Sequence, residues 1–324
     1  MTRDSSRIVP WLVLGLLAAH GAIVSWNLGI RPLWVDEACS ALFARSSVPQ
    51  IIHTLKEDCG MPIHYLFLKG VRSVIGESEA ALRAPSVFFS VAVGLLIWLL
   101  GKRLAGDWAG LFGVAMWVSS PATIRMAREA RCYTLFACLT IGLFLAWHYW
   151  ADRPSVRRLI FPVLLHVLAA YLHNFGLMLF PAAFATVIWM KWKKAILPLV
   201  GVAAVWLILY SPWISVLFMQ LGRTQQSIGW VERTWSPLSP LLSLGLFCFG
   251  AYRPVYLGLP PVWDWVSMIG VLLVVWSVLL LLRSWRKHSN LLPLLLFVFV
   301  YLFVPYAFSW LFCPIELPGR TDFP

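Results

Sequence analysis

The sequence predicts an all-α protein, a polytopic transmembrane bundle of about nine spans that forms one domain over residues 1–324. Composition and the spacing of apolar runs carry that prediction. Of the 324 residues, 60% are hydrophobic and 12% are charged, and the mean hydropathy is +0.78. Soluble globular chains run nearer half apolar and about a quarter charged. The apolar residues also gather into runs of about 17–25, the length a helix needs to cross roughly 30 Å of hydrocarbon. A soluble enzyme, a disordered tail and a disulfide scaffold are thereby excluded. The formal charge of +12 would suggest a nucleic-acid partner in a soluble chain. In a chain this apolar it reads instead as basic loops held on one side of a bilayer.

Spans are expected near 9–30, 84–101, 107–124, 132–151, 154–172, 174–192, 195–217, 263–282 and 290–313. The first run is longer than a secretory signal core and lacks a small-residue cleavage pattern, so it is kept as a first helix. Residues 31–83 form a long loop. Pro62 suits the first turn of an amphipathic helix within it. The stretch 159–190 carries no Lys, Arg, Asp or Glu and is too long for one span. His173-Asn174-Phe175-Gly176 near its middle predicts a tight helical hairpin with a polar tip. Within the loop 218–262, Ser236–Tyr252 is apolar but broken by Pro237 and Pro240. It suits an interfacial or re-entrant piece better than a span.

Charge placement orients the bundle. With the N-terminus cytoplasmic and 236–252 not crossing, the inner loops hold thirteen basic and three acidic residues (Asp4, Asp107 and Asp152). That bias is an orienting signal, and the expected location is the cell membrane, inner or plasma. Of 26 basic and 14 acidic residues in all, thirteen and eleven remain outside, the acids mostly in 31–83. Chemistry is therefore sought on the outer face.

Four outer constellations stand out. Trp34-Val35-Asp36-Glu37 places two carboxylates at a helix exit, where one can act as a base or bind a cation. Glu57-Asp58 precede Gly60-Met61-Pro62-Ile63-His64-Tyr65. Arg125, Arg128 and Arg131 fall within seven residues, beside Tyr133, against the positive-inside bias. Guanidinium forks suit phosphate oxygens. His173-Asn174 sits at the hairpin tip. Nucleotide loops and paired-Cys or two-His metal patterns are absent from the sequence. Carboxylates, arginines and surrounding hydrocarbon together fit transfer from a lipid-phosphate donor, which needs no nucleotide pocket. Cys39 and Cys59 share the loop, and a bridge between them is left open.

These motifs resemble the GT-C membrane glycosyltransferases, nearest the protein O-mannosyltransferase and aminoarabinose–lipid A transferase branch. The likeness rests on Trp34-Val35-Asp36-Glu37, on Asp58 with Pro62-Ile63-His64-Tyr65, and on Gly76-Glu77-Ser78-Glu79 through Leu82-Arg83-Ala84-Pro85-Ser86. It continues in Ala127-Arg128-Glu129-Ala130-Arg131-Cys132-Tyr133, Tyr171-Leu172-His173-Asn174-Phe175-Gly176 and Pro318-Gly319-Arg320. The resemblance implies inverting transfer of a sugar from a polyprenyl-phosphate donor to a protein, lipid or glycan acceptor at the non-cytoplasmic face. It implies Asp36 as catalytic base with Glu37 in support, and Glu57 or Asp58 as a substrate- or cation-binding acid. Arg128, Arg131 and Tyr133 would hold the donor phosphate, and His173 would contact donor or metal. A divalent cation is left open as a cofactor. Family members often carry Pro-Pro after the second acid, where this chain has Gly60-Met61-Pro62, and they usually continue beyond the outer loop in which Pro324 lies. The competing readings are a lipid-sugar flippase or transporter, and an inactive shortened homologue.

Overall fold

The computed structural model describes residues 5–58, 60–227 and 291–311, and the described residues contain only helices and turns. The expectations for 228–290 (the interfacial segment, the 263–282 span), for Cys59 and for the Arg320 motif lie outside them.

Helix α1 (Ser5–Ser25) is followed by three short helices, α2 (Val35–Arg45), α3 (Val48–Glu57) and α4 (Pro62–Ile75). The long loop expected over 31–83 is thus a folded helical cap. Its helices start where the sequence says they can. Ser47 accepts the Gln50 N–H at 3.4 Å and Gln50 returns a bond to the Ser47 N–H at 3.0 Å, a reciprocal cap. Pro62 opens α4, as expected.

Helix α5 (Glu79–Ala105) is capped by Ser78, whose hydroxyl accepts the Ala81 N–H at 3.2 Å. It turns through Gly106 directly into α6 (Asp107–Ser119). That connection needs glycine: Gly106 has φ +96°, and a Cβ on Gly101 would lie 2.5 Å from the Gly110 Cα across the hairpin. Ser120-Pro121 then ends α6, and α7 (Pro121–Ala127) is a separate short helix. The span expected over 107–124 is therefore two pieces, because a proline supplies no N–H to continue α6.

Helix α8 (Tyr133–Asp152) matches its predicted span, whereas α9 (Ile160–Leu172) has only 13 residues after a 3₁₀ turn at Val156–Leu159. The turn after α9 lies at 173–178, where the polar tip was expected. Its Gly176 is pressed against the Ala169 carbonyl, leaving no room for a Cβ. Helix α10 (Leu179–Ser227) is broken at Lys191, and α11 (Leu292–Leu311) packs along it.

Five helical stretches among the described residues are long and apolar enough to cross a membrane: Ile8–Ser25, Glu79–Ala105, Tyr133–Asp152, Asn174–Lys191 and Lys194–Leu221. The main core, with Trp147, Trp150, Leu143, Leu179 and Phe297, fills the space between α5, α8, α9, α10 and α11. A second cluster, with Ile51, Leu55, Tyr65, Tyr210 and Trp213, seats α3 and α4 on α10. Large apolar side chains such as Phe88 and Ile208 stay outward-facing, which suits a hydrocarbon surround as apolar as they are. The protein is an all-α membrane-integral bundle.

Hydrogen bonds separate its two ends. At one, Arg103 pairs with Asp152, Lys102 with Asp107 at 3.1 Å, and Arg158 donates to the Tyr149 and Arg153 carbonyls. At the other, the end of α1, the helical cap, the α7–α8 link and the 173–178 turn converge.

Candidate active site

Glu37 is the centre of that second end. It lies in the first turn of α2, where helix N-termini favour a carboxylate, and reaches back to the Trp34 N–H at 3.3 Å. Its other bonds are distant in sequence. Arg83 of α5 donates from Nε at 2.8 Å and Nη2 at 2.6 Å, and the Ala130 N–H adds a bond of 2.7 Å. The side chains of Glu37 and Arg83 are 1% and 5% exposed. Arg83 also donates to the carbonyls of Leu28, Arg31 and Pro32 at 2.9–3.0 Å. One buried ion pair therefore ties together the α1–α2 link, α2, α5 and the loop before α8.

Arg128 is equally committed. Its guanidinium donates to the carbonyls of Ile23, Val24, Trp26 and Asn27 at 2.7–3.4 Å. These include the Ile23 and Val24 carbonyls in the last turn of α1, where helical N–H donors run out. Arg128 closes the end of that helix.

Arg131 differs from both. Its Nη2 lies 3.4 Å from the Asp36 carboxylate, and Nη1 makes contacts of 3.4 Å to the Asp36 carbonyl and 3.3 Å to the Ser40 hydroxyl. Its Nε is buried without a protein partner. The guanidinium sits 5.8 Å from the centre of the Tyr133 ring. Its contacts to Asp36 and Ser40 are thus all 3.3–3.4 Å, with a further side-chain hydrogen bond to Tyr133, while the side chain keeps 20% exposure and Asp36 keeps 45%.

The surrounding groups form the wall of the site. His173 accepts the Phe175 N–H at 3.1 Å through Nδ1, and its ring lies 6.4 Å from Tyr133 and 5.3 Å from Phe136. Burial pushes the Tyr65 hydroxyl well above its usual range, against the charge of nearby Arg131, with Asp58 and Asp36 adding to the rise. Burial lowers His64 to about 3, helped by the charges of Arg131 and His173, against a hydrogen bond to the Ala130 backbone. His64 is neutral at any physiological pH. Burial pushes the Cys132 thiol up to about 11, so it is no thiolate.

Of the residues expected at the site, Asp36, Arg131, Tyr133 and His173 are brought together, and Glu37 supports them from beneath. Asp58 ends α3 beside Tyr65, while Glu57 is exposed on the same turn. Arg128 is placed at the α1 terminus. Two residues escaped the sequence reading as site components. Arg83 looked like part of a motif, although a charge at the start of an apolar span was a signal. Gln220 of α10 gave no signal. It donates to the carbonyls of Leu55, Asp58 and Gly60 at 2.8, 2.8 and 3.2 Å, holding the α3–α4 turn over the site. Among the described residues no three His, Cys, Asp or Glu side chains gather closely enough to hold a metal ion.

Two of the histidines inside the expected spans, His20 in 9–30 and His166 in 154–172, are absorbed by packing. His20 pairs with Ser90 at 2.8 Å, and His166 meets the Trp147 N–H at 3.3 Å and stacks on Phe180.

The fold and site define a membrane-integral helical protein with an acid–arginine centre at one end of its bundle. Residues 60–216, nearly half of the chain, match the model of the dolichyl-phosphate-mannose-protein mannosyltransferase family. That match supports a GT-C mannosyltransferase-like family for this protein and, with it, a glycosyltransferase that uses a lipid-linked donor. No curated protein and no solved structure matches the chain.

Proposed function

We propose that the protein moves a sugar from a polyprenyl-phosphate donor to a protein, lipid or glycan acceptor, with inversion, at the non-cytoplasmic face. The observation that carries this reading is the contrast among the arginines: Arg83 spends all three nitrogens at 2.6–3.0 Å and Arg128 turns its fork onto the carbonyls at the end of α1, while Arg131 holds its donors beside an accessible carboxylate. An under-bonded guanidinium is suited to two phosphate oxygens. Asp36 takes the acceptor's proton as the acceptor atom bonds to the sugar C1. The bond from C1 to the phosphate oxygen breaks, and its electron pair leaves with the polyprenyl phosphate. Arg131 stabilises that growing charge, and Tyr133 and His173 line the donor side. The end bearing Lys102, Arg103, Arg153, Arg157 and Arg158 would face the cytoplasm.

The test is release of free polyprenyl phosphate from labelled polyprenyl-phosphate sugars by purified protein, with and without EDTA. Asp36→Asn should abolish release while leaving the fold intact, and Arg131→Ala should raise the donor KM by about tenfold or more. Undiminished turnover by Asp36→Asn would overturn the base assignment. A normal donor KM in Arg131→Ala would overturn the phosphate assignment.

A further inference from the structure

Behind Arg131, between α4, α5 and α8, lies a cavity of about 10 Å³. Room on the order of 10–15 Å³ admits one water molecule and little else. Leu82 and Leu135 contribute apolar wall, and His64, Ser86, Arg131 and Cys132 contribute polar wall. Two of these carry nitrogens buried without a protein partner: His64 Nε2 and Arg131 Nε. The residue His64 is 6% exposed.

Their hydrogen-bonding senses are opposite. The Ala130 N–H is already given to Glu37, so the bond between His64 and the Ala130 backbone runs from the imidazole to the carbonyl. With Nε2 unpartnered, that donor is Nδ1–H, and in a neutral ring Nε2 is then a bare acceptor. Arg131 Nε–H can only donate. A water satisfies both at once, giving a hydrogen to His64 and taking one from Arg131. Ser86, whose hydroxyl donates to the Arg131 carbonyl at 3.2 Å, keeps lone pairs for the water's second hydrogen. Two to four polar partners are what a buried water needs.

We propose that a single buried water bridges His64 Nε2 and Arg131 Nε, and that His64 is thereby a positioning residue for Arg131. The bridge occupies the inward edge of the guanidinium and leaves the Nη fork turned toward the anion. The effect on ligand binding rests on the phosphate role proposed above; the bridge itself does not.

Three variants separate the bridge from simple packing. His64→Gln keeps an acceptor near the Nε2 position and loses the Nδ1 donor. His64→Asn keeps the donor toward Ala130 and loses the far acceptor. His64→Phe loses both. Binding of a long-chain polyprenyl phosphate to nanodisc-embedded protein is measured for each, beside a density map fine enough to show ordered water. The expected result is water density between the two nitrogens, affinity within about twofold of wild type for His64→Gln, and affinity about tenfold weaker for His64→Asn and His64→Phe. Retained affinity in His64→Asn with loss in His64→Gln would overturn the bridge in favour of the Ala130 contact. A map without density there overturns it whatever the affinities. Wild type that fails to bind polyprenyl phosphate would instead sink the proposed function, and the map would still decide the bridge.

Discussion

Replacing Arg83 by Met removes the cation from a pair whose side chains are 5% and 1% exposed. Glu37 would keep only the N–H groups of Trp34 and Ala130, and the carbonyls of Leu28, Arg31 and Pro32 would lose their guanidinium donor. Taking one partner from a buried pair costs about 3–5 kcal/mol, because the other charge stays desolvated. Glu37→Gln should cost less, since an amide oxygen still accepts from the Ala130 N–H. The double variant should therefore be less destabilised than the two single changes added together, with a coupling of about 2 kcal/mol or more. Arg83→Lys should rescue poorly, since an ammonium cannot reproduce the planar fork that serves one carboxylate and three carbonyls. The assay is equilibrium unfolding in detergent, read by tryptophan fluorescence. A loss below about 1 kcal/mol for Arg83→Met, the size of a solvent-exposed pair, would refute the view that this pair organises the active end.

Three further outcomes follow from the same contacts. Gln220→Ala strips the side-chain donor from the carbonyls of Leu55, Asp58 and Gly60; it should cost about 1–3 kcal/mol and speed tryptic cleavage after Lys56. Glu77 lies between Arg72 and Arg45, and the hydrogen bond from Arg72 foremost holds its carboxyl below the ordinary range. A depressed carboxylate stabilises above its unfolded pKa of about 4.3 and loses that effect as pH falls through the folded value. The small, salt-sensitive advantage in Tm over Glu77→Gln should thus be present at pH 7 and vanish in acid; an advantage that grows toward acid would contradict the pairing. Gly176→Ala puts a Cβ against the Ala169 carbonyl and should cost about 1–3 kcal/mol in thermal unfolding, with loss of polyprenyl phosphate affinity if His173 lines the donor side as proposed.

Five of the expected spans and the hairpin tip were legible because hydrophobic run length and charge are local properties. The stretch 159–190 carries no ionised side chain, and its turn falls at the one polar tetrad it contains. The shortness of α6 was also written locally, in Ser120-Pro121, but total hydropathy outweighed it. The folding of 31–83 into α2, α3 and α4 was harder to see. These helices are short and amphipathic, and each is stable only by packing its apolar stripe on α10 or α5. Gln220 could not have been found at all, since its acceptors lie 160–165 residues away.

The arginines show why a site reads less clearly than a fold. Arg128 and Arg131 are three residues apart and carry the same charge, and both suit a phosphate by composition. What separates them is the carbonyl-rich end of α1, about a hundred residues upstream. It consumes Arg128 and leaves Arg131 facing Asp36. Arg131 keeps an Nε without a protein partner, while Glu37 beside it meets Arg83 and the Ala130 N–H at 2.6–2.8 Å. Glu37 grips the Ala130 N–H one residue before Arg131 and stands one residue after Asp36. The same carboxylate therefore sets the positions of the proposed base and the proposed phosphate clamp. A change at Glu37 should disturb proton removal and donor binding together, where changes at Asp36 and Arg131 disturb them one at a time.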